Sequence, residues 1–152
     1  MAFTTRAGAL MSDFDLTAFL PYQLAVASAR VSRGFADLYR SEFGLSIPEW
    51  RVMAHLAGSD AVSVREIHAR VDMDKSKVSR AAARLEAQGL IEKRENPGDR
   101  RLVELRLTDG GRAMMARIVP LAMRYQDRIL ADLGTDAAAF RAALQTLLKD
   151  RA

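Results

Sequence analysis

Residues 75–107 read KSKVSRAAARLEAQGLIEKRENPGDRRLVELRL, and this stretch decides the fold. Residues 75–106 hold nine Lys or Arg against five Asp or Glu, a surplus equal to the net charge of +4 of the whole chain. Duplex DNA carries one negative charge per ~1.7 Å and releases counterions when clustered cations bind it. A charge run is more often a solvated face, so the predicted geometry has to decide between the two interpretations.

The first half of the stretch has the spacing of an amphipathic helix over residues 75–88. Asp74 can cap its first turn, and Gly89 can end it. One stripe along this helix is apolar, and the face opposite to it is small or cationic. The apolar stripe consists of Val78, Ala81, Ala82 and Leu85, whereas Ser76, Arg80, Ala83 and Ala87 point the other way, flanked by Lys77, Ser79 and Arg84.

The second half of the stretch predicts a hairpin with strands at 90–95 and 101–107. Between them, Pro97 and Gly98 fit the centre of a type II turn, in which glycine supplies the positive φ. The tip of this hairpin is therefore stiff and charged.

Outward from the stretch, Ser63 and Glu66 form a capping-box pattern that opens a short helix at about 64–71. This helix, a tight turn and the helix 75–88 make a helix-turn-helix, whose second helix would lie in the DNA major groove with the hairpin as a wing. Asp99 is expected to orient an arginine of the wing. The predicted DNA contacts are Lys75, Ser76, Lys77, Ser79, Arg80, Arg84, Arg100 and Arg101.

For Lys77 and Arg80 the alternative is a solvated helix face with intrahelical ion pairs. The residues four positions later are Ala81 and Arg84, and neither is acidic. We therefore favour DNA recognition, with base contact by Arg80 and backbone contact by Arg84, which lies nearer the C-terminus of the helix.

The outer segments 14–41, 109–132 and 136–150 also have helical apolar spacing, and Pro120 is expected to kink the second of them. They carry more apolar surface than one winged domain can cover, which favours dimerisation over a monomeric core. The predicted fold class is mainly α, a winged helix-turn-helix with N- and C-terminal dimerisation helices. Its organisation is a flexible tail at 1–12, a helical dimerisation region at 13–44 and 109–152, and a DNA-binding domain at 45–108.

Several classes are excluded or disfavoured by composition. The chain has no Cys, which excludes disulfides and thiol sensing, and two histidines, His55 and His68, make a zinc sensor the less favoured alternative. No nucleophile adjoins a histidine and no glycine loop suits phosphate, so we expect no enzyme and no cofactor. Without a membrane span or signal core, the chain is predicted to be cytoplasmic.

Two alternatives from other classes stay open. One is a small hydrolase or transferase with a basic cleft for an acidic substrate. The other is a winged-helix architectural or protein-interaction module that binds without sequence preference.

The chain resembles the MarR family of winged helix-turn-helix regulators over about residues 14–150. The most specific matches are Arg84 to Ile91, the wing pattern Asp99-x-Arg101, and Leu107 to Gly111. The resemblance implies a homodimer with the order α1-α2-α3-α4-β-β-α5-α6, repression of a nearby operon, and Arg101 in the minor groove with Asp99 as its orienting carboxylate. It also implies release from DNA when a small aromatic or phenolic acid enters a cleft between the dimerisation helices and the winged domain.

Candidate effector-binding residues follow from a weaker likeness of the first helix to members tied to aromatic-acid catabolism. Ser28 and Ser32 are four positions apart, beside an expected buried stripe of Leu24 and Val31, and could meet a ligand carboxylate. Serines that bond the carbonyl four residues earlier are the alternative. The full candidate set is Tyr22, Ser28, Ser32, Trp50 and His55, and for His55 a core histidine is the alternative.

Overall fold

The computed structural model describes residues 13–149, so the predicted tail at 1–12 lies outside the described residues. The chain is mostly helical with a small antiparallel sheet, as predicted. The elements in chain order are α1 (Leu20–Phe43), α2 (Ile47–Ala57), β1 (Val62–Ser63), α3 (Val64–Arg70), α4 (Lys75–Ala87), β2 (Ile91–Glu95), β3 (Val103–Leu107), α5 (Asp109–Leu133) and α6 (Ala137–Leu148).

Two compact units divide the chain at residues 37 and 38, within α1. In the first unit, Asp15 accepts hydrogen bonds from the backbone N–H and the hydroxyl of Thr17 at 2.9 and 2.7 Å and caps a 3₁₀ turn at Leu16–Ala18. The first long helix therefore begins at Leu20 rather than at residue 14. The expectation that Val31 is buried is wrong for a single chain, because its side chain is 42% exposed.

The second unit contains the predicted helix-turn-helix. A capping box begins α2: Ser46 accepts from the N–H of Glu49 at 3.3 Å, and the Glu49 carboxylate accepts from the N–H of Ser46 at 3.0 Å. Ser63 caps α3 by accepting from the N–H of Glu66 at 3.2 Å. The return bond to the Glu66 side chain is not formed, so the predicted capping box is only half present. The buried core joins these helices to the sheet. Its fully buried side chains include Leu45, Val52, Met53, Leu56, Ile67, Val78, Leu85, Ile91, Leu105 and Ile118.

The sheet has three strands in the order β1-β3-β2, where the sequence predicted two. Val62 pairs with Leu105, and Ile91 pairs with Leu107 on the other side of β3. The additional strand was missed because it is two residues long and carries no alternation. Its effect is to bury Val62, which is 2% exposed, against the base of the wing.

Thr108 caps α5 and ties it to the end of α4. Its hydroxyl accepts from the N–H of Gly111 at 3.1 Å and donates to the carbonyl of Gly89 at 2.6 Å. Gly89 has φ +73°, the left-handed conformation that a helix-ending glycine supplies without strain. The helix α5 continues through Pro120 as one element, and a 3₁₀ turn at Gly134–Asp136 precedes α6.

Candidate nucleic-acid interface

We call α4 the recognition helix. Its start is fixed by Asp74. The Asp74 carboxylate accepts from the Ser76 hydroxyl at 2.7 Å and from the N–H of Lys77 at 2.8 Å. The hydrogen bond from Ser76, followed by the one from Lys77, holds the pKa of Asp74 below its usual value. At neutral pH the carboxylate is therefore ionised and the first turn is capped.

The two faces of the recognition helix separate as the sequence predicted. Val78, Ala81, Ala82 and Leu85 are buried and hold the helix against the core. All eight predicted DNA-contact residues, on the helix and in the wing, are exposed. They are therefore accessible to a partner, and their contacts with DNA stay a prediction.

Among the cations of this helix, Arg80 and Lys77 differ in their neighbours. The side chain of Arg80 makes no hydrogen bond or ion pair with any residue in the range 13–149. The Lys77 ammonium lies 4.0 Å from the Asp74 carboxylate, so Lys77 has an acidic neighbour three positions earlier, which the sequence argument had not considered. Arg80 is thus the less constrained of the two.

Arg84 lies beside a buried carboxylate. Its guanidinium is 3.9 Å from Oε1 of Glu49, and the two side chains are 68% and 5% exposed. Glu49 is also the capping-box residue of α2. Arg84 therefore links the recognition helix to the N-terminus of α2, in addition to the predicted role on the DNA backbone.

Other cations of the basic stretch are paired at its surface. The Lys93 ammonium lies 3.7 Å from the carboxylate of Glu86, near the C-terminus of the recognition helix. The Arg94 guanidinium lies 2.9 Å from the Glu92 carboxylate. These pairs are exposed and contribute little to stability. They also offset positive charge at the base of the wing, which leaves Lys75, Arg80, Arg100 and Arg101 as the exposed cations of this stretch without an ion pair among residues 13–149.

The wing tip has a different turn from the one predicted. Gly98 does not have a positive φ, so the type II turn is wrong. Instead, the side-chain carbonyl of Asn96 accepts from the N–H of Gly98 at 2.7 Å and from the N–H of Asp99 at 3.2 Å. An asparagine side chain can thus replace a backbone acceptor in a turn, and Asn96 is a wing residue that the sequence argument missed.

Asp99 acts on the backbone of the wing. Its carboxylate accepts from the main-chain N–H of Arg101 at 3.0 Å, and the N–H of Leu102 donates to the Asp99 carbonyl at 3.0 Å. These bonds order the main chain that carries Arg101. An effect of Asp99 on the arginine side chain stays a prediction.

The candidate effector residues lie in both units. In the first unit Tyr22 and Ser28 are exposed and Ser32 is half-buried, and neither serine hydroxyl has a hydrogen-bond partner within residues 13–149. In the second unit Trp50 stacks on Tyr39, with ring centroids 5.6 Å apart.

The two histidines have different surroundings. His55 is half-buried, and its Nε2 is buried with no hydrogen-bond partner, whereas Nδ1 of His68 lies 2.6 Å from the carbonyl oxygen of Met73. Across residues 13–149, no group of three or more His, Asp or Glu could hold a metal ion. Likewise, none of the described helices combines the length and the apolar character that crossing a membrane requires.

Comparison with known proteins places this geometry among bacterial regulators. A model of the MarR family matches residues 43–102. A MarR family transcriptional regulator from Silicibacter pomeroyi DSS-3 is 35% identical, with a TM-score of 0.77 over 90% of this chain and 97% of that one.

Two further solved structures are informative. The transcriptional repressor CouR, bound to a 23-mer DNA duplex, is 30% identical with a TM-score of 0.78 over 88% of this chain and 95% of that one. The PcaV transcriptional regulator from Streptomyces coelicolor, in complex with its natural ligand, is 25% identical with a TM-score of 0.73 over 88% and 94%.

The chain spans about half the length of the curated relatives it matches, which are HTH-type transcriptional regulators. These relatives are regulators rather than enzymes, as the sequence predicted for this chain.

Proposed function

This chain belongs to the MarR family, and we propose that it is a sequence-specific DNA-binding transcriptional regulator that acts as a homodimeric repressor. The observation that carries the proposal is the recognition helix, whose apolar stripe is buried while its cationic face, with Arg80 free of ion pairs among the described residues, is exposed. The DNA duplex bound to CouR supports the same partner for this chain.

In the proposed complex the recognition helix lies in the major groove. Arg80 reads a guanine, Ser76 and Ser79 donate to bases or backbone, and Arg84 contacts the backbone. Arg100 and Arg101 reach the adjacent minor groove or the sugar-phosphate backbone from the wing.

A homodimer is proposed because a single chain leaves large apolar side chains uncovered on its outer helices. Two recognition helices about one helical turn apart, ~34 Å, require a pseudo-palindromic operator. In the first unit the exposed residues are Phe14, Leu16, Phe19, Leu20, Tyr22 and Val31, and on α5 and α6 they are Val119, Met123, Phe140, Leu147 and Leu148.

Release by a small ligand, an aromatic or phenolic acid, is part of the proposal. The ligand-bound structure of PcaV supports ligand response in this fold. Tyr22, Ser28, Ser32, Trp50 and His55 are the candidate residues. A repressor of chromosomal operons would act in the cytoplasm.

Salt-dependent binding to the DNA upstream of its own locus tests the proposal. If a dimer makes ~8 cationic contacts, log affinity should fall against log salt with a slope of about −7. A flat titration, or a monomer by light scattering, would contradict the proposal. Equal affinity for random and upstream DNA would favour the alternative, a winged-helix module without sequence preference.

A further inference from the structure

The hydroxyl proton of Ser76 is already committed at the start of the recognition helix. The Ser76 hydroxyl donates to Oδ1 of the Asp74 carboxylate at 2.7 Å, and the same oxygen accepts from the N–H of Lys77 at 2.8 Å. A serine hydroxyl has one proton and two lone pairs, whereas an ionised carboxylate only accepts. Because its proton lies in the bond to Asp74, the exposed Ser76 oxygen offers only lone pairs to a partner.

Ser79, one turn further along the same helix, has no such constraint. It is exposed like Ser76, and its hydroxyl makes no hydrogen bond within the part of the chain that the structure describes, residues 13–149. Residues three positions apart are neighbours on the surface of a helix. The two serines therefore share a surface but differ in chemistry, because Ser79 can donate or accept whereas Ser76 accepts.

The strength of the bond to Asp74 disfavours donation from Ser76 to a base. A hydrogen bond to an ionised acceptor is roughly twice as strong as one between neutral groups. The acceptors at the edge of the major groove, which are the carbonyl oxygens of guanine and thymine and the purine N7 atoms, are all neutral. Donation to any of them would exchange a stronger hydrogen bond for a weaker one, so Asp74 keeps the proton.

The charge of Asp74 disfavours a phosphate at the same place. Its carboxylate lies one hydrogen bond away from the Ser76 oxygen, and two negative groups this close repel each other. The cations Lys77 and Arg80 of the same helix offer a phosphate a more favourable partner. A carboxylate instead attracts groups whose hydrogens are partly positive. At the edge of the major groove these are the exocyclic amino groups of cytosine and adenine.

We propose that Ser76 is a specificity-determining residue that accepts a hydrogen bond from the exocyclic amino group of a cytosine or an adenine in the operator. Every base pair has one such amino group and one carbonyl group at its major-groove edge, so a fixed acceptor selects the strand that carries the amino base. Ser79 keeps the donor role that the proposed complex gives to both serines, and Ser76 takes the opposite role. The inference rests on the proposed function, because it concerns the same complex with DNA.

Base analogues in the operator test the role of Ser76. Selection from a duplex library with the wild type first defines the operator. In one half-site, each adenine in turn is then replaced by purine and each cytosine by 2-pyrimidinone, which lack the amino group, and the Kd is measured by fluorescence anisotropy. One amino deletion should raise the Kd of the wild type about fivefold, the effect of one hydrogen bond, and should not raise the Kd of Ser76→Ala further. Since both proteins are titrated with the same duplexes, effects of the analogue on the duplex itself cancel.

Two further variants separate this contact from a structural effect. Ser79→Ala makes the same substitution at the neighbouring exposed serine and should stay about fivefold sensitive to that amino deletion. Ser76→Thr keeps the hydroxyl and should stay equally sensitive. In Ser76→Ala the Asp74 carboxylate still accepts from the N–H of Lys77, so the recognition helix stays capped. Thermal unfolding of the free variants checks that each of them is folded.

Three results would overturn the assignment. The first uses 5-methyl-2-pyrimidinone for thymine and 2-aminopurine for guanine, which lack the carbonyl oxygen, and methylphosphonates, which lack the phosphate charge. If Ser76→Ala loses sensitivity to one of these changes rather than to an amino deletion, Ser76 is a donor. The second is an amino deletion that weakens Ser76→Ala as much as the wild type, which would mean that another residue reads the amino group. The third is a wild type that no amino deletion weakens.

The wild type on unmodified DNA distinguishes failure of this inference from failure of the proposed function. If the wild type binds its operator and gives one of the three results, the inference alone is wrong. If the wild type binds no DNA, the proposed function is wrong and the inference falls with it.

Discussion

The side-chain amide of Asn96 donates a hydrogen bond to Oε1 of Glu104 at 2.7 Å and joins the tip of the wing to the opposite strand. The carbonyl of the same amide accepts from the N–H groups of Gly98 and Asp99. One side chain therefore holds both sides of the turn that presents Arg100 and Arg101.

Asn96→Ala should weaken DNA binding by disordering the wing tip. We expect the Kd to rise by about three- to tenfold on every sequence, since three hydrogen bonds that position Arg100 and Arg101 are lost. The melting temperature of the free protein should also fall somewhat, because Asn96 is half-buried and each of the lost hydrogen bonds contributes to stability. Gln88→Ala removes an amide from an exposed position outside the wing and should bind DNA normally. An unchanged Kd for Asn96→Ala would show that the wing tip makes no contact that contributes to DNA affinity.

Arg80→Ala and Arg101→Ala should have different effects on specificity. Loss of Arg80 should reduce discrimination at one base position by about 1–3 kcal/mol, because a bidentate contact to guanine is removed. Loss of Arg101 should weaken all sequences by a similar factor. Binding to an operator library with each position varied measures both effects. The opposite pattern would mean that our assignment of the grooves is wrong.

Arg84→Ala should lower the stability of the free protein, whereas Arg80→Ala should not. Arg84 is the cation beside the buried Glu49. Since the arginine is largely exposed, the loss should be modest, about 0.5–1 kcal/mol. Urea unfolding of the wild type, Arg84→Ala and Arg80→Ala without DNA measures this loss of stability. Equal stability of the two variants would show that the contact between Arg84 and Glu49 contributes nothing.

The Asp74 cap should make stability depend on pH in the acid range. Hydrogen bonds from Ser76 and Lys77 lower the pKa of Asp74 below 3.8 in the folded state. The contribution of ionised Asp74 to the free energy of unfolding is therefore complete at pH values above the pKa of Asp74 in the unfolded chain. The contribution is lost as the pH falls through the lowered folded pKa.

Asp74→Asn keeps a capping acceptor but removes this titration. Thermal unfolding should therefore show the wild type losing stability relative to Asp74→Asn below about pH 4. Parallel curves for the two proteins down to about pH 2 would contradict the assigned linkage.

Gly111→Ala should destabilise the protein, whereas Gly110→Ala should not. A Cβ on Gly111 would collide with the main-chain carbonyl of Leu90, and its neighbours cannot move aside easily because they are backbone. Overpacking of this kind costs about 1–3 kcal/mol. At Gly110 the nearest atoms to an added Cβ are 3.7 Å away. Urea unfolding should separate the two variants, and equal midpoints would contradict the close approach.

Local interactions explain what was predictable. The caps at Ser63 and Asp74 were confirmed, because each joins residues two or three positions apart and depends on little else. The buried stripe of the recognition helix was also confirmed, since a period of about 3.6 residues separates its faces.

Two predictions were wrong, the type II turn of the wing and the burial of Val31. In the first, a second hydrogen-bond acceptor competes with the expected one, and in the second, an apolar face is left uncovered. Proline followed by glycine suits a type II turn, but the Asn96 side chain competes as an acceptor, and geometry rather than composition decides between them. Val31 has the spacing of a buried residue and is exposed in one chain. Periodicity identifies an apolar face without identifying what covers it.

By itself, the sequence determined where the positive charge is concentrated, the order of the helices and the hairpin, and which face of the recognition helix is polar. Only the tertiary structure decided that Glu49 lies beside Arg84 and that Val62 adds a strand to the wing. The physical reason is range: capping and helical periodicity act within a few residues, whereas these contacts join residues that are distant in the chain and meet only when the core packs.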